Sequence, residues 1–89
     1  MPNCLNSGAA NGRFTAASFV PTVSGSTVTV NAELASNPGN YQCSVSGSVG
    51  GSFQTQCANA PFASVGSQHT FSFTFSGPPA GLVVVYDPV

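Results

Sequence analysis

The stretch YQCSVSGSVGGSFQTQCAN, residues 41–59, decides the fold. Its first half alternates: Tyr41, Cys43, Val45 and Val49 fall on one face, and Gln42, Ser44, Ser46 and Ser48 on the other. After Gly50-Gly51 the alternation resumes, with Phe53, Thr55 and Cys57 against Gln54 and Gln56. A period of two interrupted by glycines is the signature of a β-hairpin. A two-residue turn would pair odd positions with even ones and set apolar residues across from polar ones. A three-residue loop, Val49-Gly50-Gly51, pairs odd with odd and gives Gly51 the left-handed bulge position. In that register Cys43 faces Cys57 at a non-hydrogen-bonded site, within disulfide reach. The expectation is one hairpin disulfide, Cys43–Cys57; the alternative is two buried thiols.

A disulfide implies an oxidising compartment, which places the chain outside the cell or on a cell or virion surface. Cys4 is the odd cysteine, in an aperiodic arm from Pro2 to Gly12. It is either an incidental thiol or an intersubunit link. The three cysteines and His69 lack the close Cys-x-x-Cys pair of a zinc site, so no metal is expected.

Outward from the hairpin, more strands appear. In Thr27–Ala35, Val28, Val30, Ala32 and Leu34 alternate with Thr27, Thr29, Asn31 and Glu33, and Phe71, Phe73 and Phe75 alternate with Thr70, Ser72, Thr74 and Ser76. Arg13–Thr22 reads as an edge strand with a bulge near Ala16, and Leu82–Tyr86 as a central strand or one covered on both faces. Asn37-Pro38-Gly39-Asn40 suits a type II turn. The expected fold is all-β: a small antiparallel β-sandwich of six to seven strands, immunoglobulin-like in outline only, since no Trp is present. Residues 1–12 form a flexible N-terminal arm and residues 13–89 a single β-sandwich domain.

The 89-residue length suits one thin-cored domain. Charged residues are 3% of the chain, namely Arg13, Glu33 and Asp87, with no Lys. That excludes phosphate-neutralising nucleic-acid binding and a polybasic membrane surface. No apolar run is long enough for a membrane-spanning helix, and the first residues lack the basic start and apolar run of a signal peptide. Glu33, Asp87 and His69 sit in no catalytic motif, so neither enzymatic activity nor a cofactor is expected. Arg13 is expected to meet a backbone carbonyl or Glu33.

A near-neutral surface allows copies to associate, and strand edges without Lys lack their usual protection. The expected function is therefore a non-enzymatic extracellular structural subunit. It would self-assemble into a filament, pilus-like fibre, coat or capsid decoration through strand edges and the Cys4 arm. A second reading is a secreted glycan- or surface-binding module using Tyr41, Gln42, Gln54 and Gln56 as a contact face. A third is a small secreted effector.

Overall fold

The computed structural model describes residues 3–89; Met1 and Pro2 of the expected arm lie outside the described residues. Six strands follow two 3-10 turns, Asn11–Arg13 and Ala16–Phe19. They are β1 (Thr22–Ser24), β2 (Thr27–Glu33), β3 (Gly39–Val49), β4 (Ser52–Phe62), β5 (Gln68–Thr74) and β6 (Ala80–Pro88). Two three-stranded antiparallel sheets, ordered β1-β2-β5 and β4-β3-β6, make the sandwich.

The core follows the alternation. Val28, Val30, Ala32 and Leu34 from one sheet meet Tyr41, Cys43, Val45, Val84 and Tyr86 from the other, with Phe71, Phe73 and Phe75 completing the first layer. Each fully buried Val, Leu or Phe contributes about 1.5–3 kcal/mol, which lets a chain this short fold around one thin layer. Phe14 ties the layers together: its ring stacks on Tyr86 at 4.1 Å and meets Tyr41 and Phe62 edge-on at 5.1 and 5.2 Å.

Several expectations are corrected. The β3–β4 turn has two residues, not three: Val49 pairs with Ser52, and Gly50 and Gly51 take φ of 56° and 82°. Two successive left-handed residues make the type I′ turn that matches strand twist, and glycine adopts it without steric cost. Odd positions therefore pair with even ones. Cys43 stands opposite Ala58, and Cys57 opposite Ser44. Cys43 and Cys57 occupy opposite faces, and the disulfide is Cys4–Cys57. Cys43 is a buried free thiol.

Arg13–Thr22 is not a strand but largely 3-10 turns, with Phe14 making one isolated bridge to Leu34. This conformation lets Phe14 and Phe19 both reach Tyr86, which a regular strand forbids. The run Leu82–Tyr86 lies in an edge strand, and β3 is central. Between β2 and β3 the left-handed residue is Asn37, φ 59°, rather than the glycine of a type II turn. The Tyr41 hydroxyl donates to the Asn37 carbonyl and accepts from Arg13 Nη1 at 3.1 Å, fixing the crossing between sheets. Arg13 also lies over the Tyr41 ring, 5.8 Å from its centroid; this ring, not Glu33, is its partner.

Gly47 marks the register shift between Ser46 and Ser48 on β3. A Cβ there would come within 2.7 Å of Leu82 Cδ2 and 3.3 Å of the Ala80 carbonyl oxygen. A side chain there would have to displace the Leu82 tip and crowd the β6 backbone.

Candidate functional site: the strapped sheet and its open edge

The odd–even register gives the β4-β3-β6 sheet an outer face carrying Gln42, Ser44, Ser46, Cys57 and Asp87. Residues from Cys4 to Ala10 lie across it as a strap. Cys4 is bonded to Cys57 on β4. Gln42 on β3 accepts from the Leu5 N–H at 3.1 Å and donates to the Leu5 carbonyl at 2.8 Å, replacing a strand partner. Asp87 on β6 accepts from the Ser7 hydroxyl, from the Ser7 N–H at 3.2 Å and from the Ala9 N–H at 3.4 Å, all at Oδ1. At the edge, Ala10 N–H donates to the Tyr86 carbonyl at 3.0 Å, and Tyr86 N–H donates to Asn11 Oδ1 at 2.8 Å.

This strap explains the burial of so many polar groups. Gln42, Ser44 and Asp87 beneath it are buried, Asp87 with only 1% of its surface exposed, while Ser46, beyond it, is buried beside its hydroxyl partner Thr55. Burial alone would raise the Asp87 carboxyl, but hydrogen bonds from the Ser7 hydroxyl and the Ala9, Gly8 and Ser7 amides outweigh it and hold it below the usual range. Asp87 Oδ2 is buried without a hydrogen-bond partner. Cys4 is therefore neither an incidental thiol nor an intersubunit link: its partner is in the same chain. The signal available in the sequence was the row Gln42, Ser44, a polar face that only a covering segment would bury.

The sequence-derived contact face is dispersed. Tyr41 is in the core and Gln42 is under the strap. Gln54 and Gln56 belong to the opposite face of β4 and close the seam to the other sheet. Gln56 Nε2 donates to the Thr74 carbonyl at 2.5 Å and Gln54 Nε2 to Ser76 Oγ at 2.9 Å. Glu33, His69 and Asp87 are not brought together. Glu33 faces away from the core of the first sheet, and His69, opposite Ala32, is an exposed rim residue 4.6 Å from the Phe71 ring. Burial pushes the Cys43 thiol up to about 12, its contact with Tyr86 only partly opposing this, so the thiolate needed of a nucleophile is scarce at neutral pH. Burial, and then its neighbour Cys43, likewise raise the Tyr86 hydroxyl.

The strap covers only half of the sheet. Beyond it Phe53 is 70% exposed and Val83 52%, flanking the Ser46–Thr55 hydroxyl pair at 2.8 Å. The neighbouring edge is open in a definable phase. Val49 and Ser52 close the two-residue turn, so alternate β4 residues from Ser52 direct their main chain to β3. Phe53, Thr55, Cys57, Asn59 and Pro61 direct theirs outward, and Pro61 thus removes no ladder bond. No charged side chain lies on β4.

Among the described residues no helix is long and apolar enough to cross a membrane, and no cluster of three or more His, Cys, Asp or Glu could hold a metal ion. Compared with known proteins, the chain matches no family model, no curated protein and no solved structure.

Proposed function

We propose that this chain is a non-enzymatic structural subunit that assembles with copies of itself outside the cell, in a fibre, coat or surface layer, through strand edges. The observation that carries the reading is the β4 edge: eleven residues without a charge, beginning beside the exposed Phe53 ring. Natural edges of this length are blunted by Lys, Pro, bulges, inward charges or covering segments, and of these β4 carries only Pro61, near its far end. Here the strap covers the sheet face and the β6 edge at Tyr86, while the main chain of Phe53, Thr55 and Asn59 is left to pair. Edge addition supplies main-chain hydrogen bonds without charged partners, which suits a chain with formal net charge −1. The Cys4–Cys57 bridge supports an oxidising compartment.

Because the arm is closed on its own chain, assembly in this reading runs through edges rather than through a Cys4 crosslink. Light scattering and electron microscopy of the purified protein, beside Phe53→Lys and Thr55→Lys, test it. Concentration-dependent assemblies that both variants abolish, with circular dichroism unchanged, are the expected result. A parent that stays monomeric at high concentration overturns the proposal.

A further inference from the structure

We infer that the C-terminal strand is threaded through a covalent ring, residues 4–57 closed by the Cys4–Cys57 bond, so that β6 cannot leave the fold sideways while the disulfide is intact. The ring members surround β6 on all four sides at Tyr86–Asp87. On one flank is β3, with Gln42 opposite Asp87 and Cys43 opposite Tyr86. On the outer face are Ser7 and Ala9, hydrogen-bonded to the Asp87 carboxylate. On the other flank are Ala10 and Asn11, bonded to the Tyr86 carbonyl and amide. On the inner face Phe14 stacks on the Tyr86 ring, Phe19 meets it edge-on, and the Ser18 carbonyl accepts the Tyr86 hydroxyl at 2.5 Å.

All these groups belong to residues 5–43, and the circuit closes covalently. From the strap the chain turns inward at Phe14, which bridges to Leu34. It returns through Asn37 to β3 and β4, and so to Cys57, opposite Ser44. The strand β5 stays outside this circuit, paired with β2 on the side away from β1. Only β6 passes through, entering from Ala80 and emerging as Pro88 and Val89. A strand so enclosed detaches by sliding back lengthwise, which draws the last residues through the ring.

Sideways and lengthwise release are distinguished by a stopper. A small folded domain fused after Val89 cannot pass the ring; the same domain fused ahead of residue 1 hangs outside it. Native-state hydrogen exchange of the Val83, Val85 and Asp87 amides, without reductant, reads the release of β6. The C-terminal fusion is expected to slow that exchange by about tenfold or more, by closing the sub-global opening route. The N-terminal fusion is expected to leave it at the parent rate. In a Cys4→Ser/Cys57→Ser background that remains folded, the C-terminal fusion is expected to lose its effect. Equal exchange in parent, N-terminal fusion and C-terminal fusion overturns the inference, and so does slowing that persists in the open-ring variant. The readout is monomeric, so its outcome is independent of whether the protein assembles.

Discussion

Gln42 and Asp87 stand side by side across the β3–β6 ladder and grip successive positions along the same strap, Gln42 at Leu5 and Asp87 at Ser7 and Ala9. One is neutral and the other charged, so their contributions to stability separate with pH. The Asp87 carboxyl is held below its unfolded value, near 3.9. A lowered folded pKa means stabilisation fully present above the unfolded value and lost as pH falls through the folded one. Acid titration of the unfolding midpoint is expected to show this loss below about pH 4 in the parent and a reduced slope in Asp87→Asn.

Removing the Asp87 acceptor altogether leaves the Ser7 amide without its partner and the Ala9 amide with only the Ser7 hydroxyl, at 3.3 Å. Asp87→Ala is expected to cost about 1–3 kcal/mol in denaturant unfolding. The same variant is expected to speed hydrogen exchange at Ser7 and Ala9 while the β2 amides stay protected. Uniform loss of protection would place the carboxylate in the global core instead of the strap.

The thiol chemistry is equally specific. Native protein is expected to resist alkylation, and unfolded, unreduced protein to take one label, at Cys43. Peptide mapping should join Cys4 to Cys57. Cys4→Ser opens a loop with a sequence separation of 53 residues. The chain-entropy estimate for such a loop is roughly 4 kcal/mol, read as a lower denaturation midpoint.

At the β3–β4 turn, Gly50→Asn keeps a residue tolerant of the left-handed region, whereas Gly51→Val sets a β-branched side chain at φ 82°. The first is expected to be close to neutral and the second to lose roughly 1–2 kcal/mol. A neutral Gly51→Val would argue against a left-handed residue at position 51.

Tyr86 joins the strap edge to the core through its hydroxyl on the Ser18 carbonyl. Tyr86→Phe keeps the stacking on Phe14 but leaves that buried acceptor unsatisfied, with an expected cost of about 1–3 kcal/mol.

The all-β sandwich was legible in the periodicity of two, and β2, β5 and the 41–59 hairpin fall where the alternation places them. The parity of the hairpin was not. Choosing the loop length by separating apolar from polar residues assumes that one sheet face meets water. Here the face of Gln42 and Ser44 is covered by the strap, and Gln56 reaches β5 and Gln54 reaches Ser76 just after it, so neither row is the solvent side. That one step moved Cys57 to the wrong face and with it the disulfide. The strap carries no periodicity because each of its residues is held by a different group. The Arg13–Thr22 segment misled because Phe14 and Phe19 both pack on Tyr86 through turns that no strand pattern encodes.

Arg13, half-buried against Tyr41, is also the only Lys or Arg in the chain. A trypsin-class protease therefore has a single bond to attack, Arg13–Phe14, and the residue after it is packed among three aromatic rings. If that bond were cut, the Cys4–Cys57 link would still hold the severed piece to the rest. Sparse charge, read earlier as a cause of stickiness, thus also makes the chain a poor meal for the digestive enzymes that favour basic residues.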